Sequence, residues 1–268
     1  MKLFAVRDET ATKAKDLAYL LYYERSKRFY MELPDNADPW ETPLILDSFV
    51  RRGERSINAY WSRLWVQQRI IPPDRQNLGE ILKSSGLDSY DEYALLTLAE
   101  GRCAQDDYYL VPISGLPGNL TRRYRYKVEG AVPLAGCRLL VFFRDGSVKK
   151  VDIAPMVGDD RRFAPVLADE LIFQSLSVQA GGYGVAWGED VEIADHDLFR
   201  HGRKVSLDAD DFRRFISTQV VSSTEAAEIL ECSRQNIDDL AQRDKLRPVK
   251  VTGKSKLFLK GEVLQRAW

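Results

Sequence analysis

The sequence predicts an α+β fold in several domains: a mixed, mainly helical N-terminal domain over residues 1–113, a small α+β domain over 131–202, and a C-terminal winged helix-turn-helix over 205–268. Three observations predict it. The 268 residues, 44% hydrophobic and 10% aromatic, exceed one typical domain and can supply more than one core. Apolar residues recur at three- and four-residue spacing in some segments and alternate in others, with Gly- and Pro-containing connections between them. Finally, SSTEAAEILECSRQNIDDLAQRDKL at 222–246 pairs two short amphipathic segments, each opened by a serine placed to cap a helix.

In the N-terminal part, Leu17 to Tyr23 and Arg28 to Leu33 alternate around the polar ERSK and predict a hairpin. LILDSFVRRGE and SINAYWSRLWVQQRI predict helices; the second places Ile57, Tyr60, Trp61, Leu64 and Trp65 on one stripe and stops before Pro72-Pro73. RQNLGEILKSSG and DEYALLTLAEG each end on a glycine suited to a left-handed cap. GRCAQDDYYLVP then returns to an extended run. The polar set Arg69, Arg75, Gln76, Asn77, Arg102, Gln105, Asp106 and Asp107 is read as internal ion pairs and caps, with partner binding as the alternative. SGLPGNLTRRYRYKVEG marks a connection, with a boundary near 115. Its alternating arginines and tyrosines suit an exposed edge strand or linker, or, alternatively, a single-stranded nucleic acid.

In the middle part, CRLLVFFRDGSVKKVDI is two strands around Asp145-Gly146, a dipeptide that tolerates the positive φ of a tight turn. VLADELIFQSL predicts a short helix, LSVQAGGYGVAWGEDVEI a glycine-rich strand pair, and DHDLFRHG a capped turn. Asp190, Glu192, Asp195 and Asp197 crowd around His196, so a metal site is weighed there. Alternating acids on a strand and a helix start are read instead as solvated or capping groups, and no metal is expected.

At the C-terminal end, Ser222 followed by Glu225 forms a capping box that starts a helix at Ser223, with Ala226, Ala227 and Leu230 inside. After the turn ECS, Ser233 caps a second helix with Ile237, Leu240 and Ala241 facing the first. KLRPVKVTGKSKLFLK predicts two strands about TGKS, and GEVLQRAW a last helix. Ile229, Leu230, Ile237, Leu240, Leu246, Val249, Phe258, Val263, Leu264 and Trp268 are expected to form one core.

Charge bears on function. The whole chain has 39 basic and 40 acidic residues, so any nucleic-acid surface must be local. From Cys232 to Trp268 nine basic residues face four acidic ones. Duplex DNA is the expected partner, with Arg234, Gln235 and Asn236 at the second helix's start for base edges, Lys250, Lys254 and Lys256 for phosphate or minor-groove contacts, and Lys245, entering the wing, as a further DNA-binding residue. MKLFAVRDET carries no basic-then-apolar leader, and no run approaches the roughly 18 apolar residues of a membrane span, so a cytoplasmic protein is expected. Cys103, Cys137 and Cys232 have neither disulfide nor zinc spacing. His196 and His201 form no catalytic pattern that sequence can locate, so neither an enzyme nor a cofactor is expected.

Three resemblances add to this reading. VSSTEAAEILECSRQNIDDLAQRDKLRPVKVTGKSKLFLKGEVLQ resembles the excisionase and MerR-type DNA-binding domain across about 219–268, through Glu225-Ala226-Ala227, Ser233-Arg234, Lys245-Leu246 and Phe258. Asp238 and Asp239 depart from it: they place carboxylates on the second helix, either to read cytosine amino groups or because the helix serves a protein partner. DGSVKKVDI, FAPVLADELIFQSLSV and GYGVAWGEDVEIADHDLF resemble a small bacterial domain of unknown function found in toxin–antitoxin-like gene pairs, which implies a partner-binding module over 131–202. Residues 61–110 are similar to the segment before the kinase core of HipA-like toxin kinases, but the chain lacks the glycine-rich loop and catalytic Asp of a kinase. The combined expectation is a sequence-specific DNA-binding transcriptional regulator, antitoxin-like, acting as a homodimer with a protein partner encoded nearby. The alternative is a protein-binding, toxin-neutralising scaffold that leaves DNA untouched.

Overall fold

The computed structural model describes residues 1–203, 209–253 and 255–268. It is an α+β structure that divides into two compact units, Met1–Thr121 and Arg122–Trp268. The segments 131–202 and 205–268 both fall inside the second unit; residue 205 itself lies outside the described residues.

The first unit is built on an antiparallel sheet. Its elements run β1 (Lys2–Asp8), β2 (Ala18–Tyr23), β3 (Arg28–Glu32), α1 (Leu44–Arg51), β4 (Ser56–Ile57), α2 (Ala59–Gln67), α3 (Leu78–Ser84), α4 (Glu92–Leu98) and β5 (Tyr108–Pro112). The strand order is β4-β3-β2-β1-β5. The hairpin expected around ERSK is β2–β3, paired from Tyr19↔Glu32 to Tyr23↔Arg28. Strand β1 was not anticipated. It lies between β2 and β5, so Leu3 to Val6 are buried on both faces and the run shows no alternation.

Helix α2 turns a different stripe inward from the one that spacing predicts. Ala59, Ser62, Trp65 and Val66 are buried, whereas Tyr60 is 67% exposed. Ser62 decides this: its hydroxyl accepts the Met31 backbone N–H at 2.8 Å and donates to Ile57 O, so the helix lies close on β3 through a small polar residue. Three members of the polar set, Arg69, Asp106 and Arg102, form internal pairs. Buried Arg69 stacks on Trp65 at 3.7 Å and pairs with Asp106, while Arg102 pairs with Glu9 and Glu100. Gly86 takes the left-handed cap after α3, but after α4 that position is Glu100, with Gly101 following it.

Helix α5 (Gly118–Tyr124) spans the division at Thr121. The Arg/Tyr run is therefore not an edge strand: it is this helix, which connects the two units in sequence, together with the approach to the next strand. The second unit then runs β6 (Val128–Leu134), β7 (Arg138–Phe143), β8 (Val148–Asp152), α6 (Ile153–Val157), α7 (Ala164–Ala168), α8 (Glu170–Gln174), β9 (Ser177–Val178), β10 (Gly184–Trp187), β11 (Val191–Ala194) and α9 (Asp195–His201). It continues through α10 (Ala209–Gln219), β12 (Val220–Ser222), α11 (Ser223–Ile229), α12 (Arg234–Gln242), β13 (Pro248–Thr252), β14 (Ser255–Leu259) and α13 (Lys260–Ala267).

Antiparallel β6–β7–β8 is the spine of this unit. Gly146, at φ +83°, makes the β7–β8 turn as expected, and the Asp145 carboxylate accepts both the Ser147 N–H and hydroxyl. Period-two alternation splits β7 between two cores. Leu139, Val141 and Phe143 join Phe173, Val185, Trp187 and Leu198 on one face. Leu140 and Phe142 face the other way with Val132, Leu134 and Phe215 of α10.

Two of the acids stay beside His196, Asp195 at 4.0 Å from Nδ1 and Asp197 at 3.6 Å from Nε2, whereas Asp195 and Glu192 also have partners elsewhere. Asp195 is buried and pairs at 3.2 Å with buried Lys127, whose ammonium sits 3.5 Å from the Tyr183 ring centroid. Glu192 accepts from Gln179. Among the described residues no group of three or more metal-ligating side chains is assembled, and no helix is long and apolar enough to cross a membrane.

Candidate nucleic-acid interface

Local chemistry starts α11 and α12 where sequence expects. The Ser222 hydroxyl accepts the Glu225 N–H, and the Glu225 carboxylate accepts the Ser222 N–H at 2.7 Å. That backbone N–H, followed by the Ser222 hydroxyl, holds Glu225 below the ordinary carboxylate range. Ser233 caps α12 through the Asn236 N–H at 3.2 Å. The ends are also specified. Cys232 N–H reaches Ala227 O and Glu231 N–H reaches Glu228 O, with Glu231 left-handed at φ +51°. Lys245 N–H and Asp244 N–H repeat that pattern on Leu240 O and Ala241 O, with Asp244 at φ +53°. Both are Schellman endings made without glycine. They set the angle between the two helices and the position of Lys245.

Packing then fixes which side of α12 faces out. Ile237 is fully buried with Ala226, Ala227, Leu230, Leu246, Phe258 and Val263, and Leu240 and Ala241 pack alongside. Arg234, Gln235 and Asn236 are left exposed in the first turn of α12. Strands β13 and β14 form a hairpin, and β14 also pairs with β12, so the sheet order is β12-β14-β13. This third strand and helix α10 went unpredicted. Val249 was expected in the core but is 50% exposed, because it lies on the outer strand of this small sheet.

The expected contact residues divide by environment. Arg234, Gln235, Asn236, Lys245 and Lys250 are exposed, as are Arg243 and Arg247, which were not singled out for contact. Lys256 is half-buried and donates to Asp238 at 2.7 Å, joining the hairpin to α12. Lys254 lies outside the described residues. One of the two departing carboxylates, Asp238, is thus neutralised from within the module, and Asp239 stays exposed.

The module is seated on the β6 edge of the spine. The Gln219 side chain donates to Ala131 O at 3.0 Å, and Gln265 donates to Glu129 at 3.1 Å. Phe215 lies 4.7 Å from Phe142, and Lys150 pairs with Asp211 at 2.9 Å. A Cβ at Gly261 would stand 2.7 Å from Glu129 O, so glycine is what allows α13 to approach.

No family model and no curated protein matches the chain. Among solved structures it is similar to the crystal structure named "Putative DNA Binding Protein NE0471", from Nitrosomonas europaea ATCC 19718, at 25% identity over 46% of this chain and 79% of that one. The TM-score is 0.26, too low to establish a common fold. The functional reading therefore rests on this chain's own geometry.

Proposed function

We propose that the chain is a duplex-DNA-binding regulator, with α12 reading base edges and the β13–β14 hairpin acting as the wing of a winged helix-turn-helix. The observation that carries this is the exposed Arg234, Gln235 and Asn236 turn, held rigidly by the Ser233 cap on one side and buried Ile237 on the other. Arginine donates in pairs to guanine, and glutamine or asparagine matches adenine. The Asp238–Lys256 pair supports the reading, because it removes most of the repulsion that a bare carboxylate would exert on phosphate. Lys245, Lys250, Arg243 and Arg247 supply the surrounding positive charge. One module offers little contact area, so two copies on a repeated or inverted site belong to the proposal. An antitoxin-like role with a protein partner encoded nearby is part of the same reading and rests on the sequence resemblances alone; that the protein is cytoplasmic and non-catalytic is proposed from the sequence patterns.

The test is a salt series of fluorescence anisotropy titrations, using the DNA upstream of the protein's own gene and a scrambled duplex. Arg234→Ala is expected to cost about 1–3 kcal/mol on the cognate site and little on scrambled DNA. Lys250→Ala should weaken both alike and reduce the salt slope by about one. Absence of binding to either duplex at low salt, or wild-type behaviour of both variants, would overturn DNA binding in favour of a protein-docking surface that uses exposed Asp239.

A further inference from the structure

A second charged feature lies away from α12 and the hairpin. At the open end of β7–β8, the register sets Arg138 opposite Asp152 and Leu140 opposite Lys150. Pro155 and Met156 of α6, His201 at the end of α9, and Arg203 complete a cleft of about 440 Å³. That volume suits a small molecule.

The polar groups of this cleft are arranged for an anion. Arg138 spends its Nε on Ala135 O at 2.9 Å, and among the described residues no carboxylate pairs with its two terminal nitrogens. Arg203 is held in place through its backbone, which exchanges two 3.0 Å hydrogen bonds with Lys150. Its exposed guanidinium likewise has no carboxylate partner among the described residues. Lys150 shares its charge with Asp211. His201 Nδ1 donates to Asp197 O at 3.2 Å, which leaves Nε2 for a ligand. Two permanently charged guanidiniums on one cleft are matched to phosphate or carboxylate oxygens, which they grip in pairs. Asp152, the single carboxylate among the described residues of the lining, can accept from a hydroxyl or amine, and Pro155 and Met156 offer apolar contact.

We propose that this cleft binds a small anion carrying at least two acidic groups, phosphate or carboxylate, between Arg138 and Arg203. The proposal is independent of DNA binding, since no residue of the cleft belongs to α12 or the hairpin. It gives the middle segment a ligand-sensing role, placed beside the Lys150–Asp211 pair that ties α10 to the spine.

The chain has three methionines, which makes the test site-specific. Met156 lines the cleft, Met31 is buried in the core of the first unit, and Met1 is at the terminus. Full-length protein labelled with ¹³C at the methionine methyls is titrated with pyrophosphate and, separately, with citrate; Met156→Leu assigns the Met156 signal. A saturable shift of Met156 with Met31 unmoved is expected, and the better of the two anions identifies phosphate or carboxylate as the preferred group. Arg138→Ala/Arg203→Ala should weaken it at least tenfold while leaving the Met31 signal native. Arg203→Gln alone, at an exposed position, should weaken it measurably even if the double variant fails to fold. Arg234→Ala/Lys250→Ala, on the candidate DNA surface, should titrate like wild type. The proposal is overturned if neither anion moves Met156, if sodium chloride at equal ionic strength reproduces the shift, or if the cleft variants titrate unchanged.

Discussion

Asp238 illustrates how a single side chain changes meaning with its neighbour. Read along the helix, it is an acid on a surface that is expected to meet phosphate. In the fold, Lys256 reaches it from β14 at 2.7 Å, and both side chains remain partly solvated. Such a pair contributes only about 0–1 kcal/mol to stability, so its main consequence is electrostatic: it occupies a lysine that would otherwise be available to DNA. Asp238→Asn is therefore expected to leave the melting temperature nearly unchanged, raise affinity for cognate and scrambled duplex alike, and steepen the salt slope by about one. Anisotropy titrations over a salt series check this; a shallower slope would mean that Lys256 does not turn to phosphate. Arg69 shows the buried counterpart. Burial lowers its pKa, Asp106 opposes that, and the guanidinium lies flat on Trp65, so it belongs to the packing of the first unit.

Among the elements, the β7–β8 hairpin and the α11–α12 pair are both set by their turns, through different chemistry. Gly146 has open space around its α-carbon, so a side chain there would be strained by the backbone alone. Gly146→Val is expected to cost about 1–2 kcal/mol from the left-handed backbone, lowering Tm by about 2–8 °C for a body of this size. Gly146→Asn, which tolerates that region, should cost markedly less. Equal Tm values for the two variants, read by circular dichroism, would place the strain elsewhere. The α11–α12 turn and the end of α12 use no glycine: Glu231 in the turn and Asp244 after α12 accept positive φ because the Schellman bonds to Ala227 and Leu240 hold them there.

At the scale of the whole molecule, the second unit joins its spine to the C-terminal module through a contact that carries like charges. Glu129 of β6 faces α13, where burial, and secondarily Glu262, raises its pKa; Arg144 only partly opposes them. A carboxyl whose folded pKa is raised contributes stability at low pH and loses it as pH rises through the folded value. Seating of α13 on β6 should thus be firmer in mild acid, just above the ordinary value of 4.5, than at neutral pH. Glu129→Gln, which can keep the Gln265 contact on its amide oxygen, is expected to raise Tm at neutral pH and to flatten the Tm–pH profile between about pH 4 and 7. Thermal melts across that range check it. A variant that melts lower than wild type at pH 7 would mean that the carboxylate has a compensating partner.

Local information, meaning what each residue does to its own backbone and nearest turn, is legible in the sequence by itself. It determines the β2–β3 and β7–β8 hairpins, the caps at Ser222 and Ser233, the inward positions Ala226, Leu230 and Ile237, and the exposed Arg234, Gln235 and Asn236, because spacing and capping act over three or four residues. The tertiary structure alone decided what depends on a distant partner. Strand β1 needed cover from β2 and β5 to make sense of its unbroken apolar run. Helix α2 chose the Ser62 side because β3 presented a backbone N–H to it. Val249 is exposed because its strand is the outer one of a three-stranded sheet. Lys256 was committed by an aspartate 18 residues away, and Arg138, Lys150, His201 and Arg203 met in one cleft although 65 positions separate the first from the last. In each of these cases the free energy comes from surfaces and charges brought together by chain folding, and no window along the sequence holds both members of the contact.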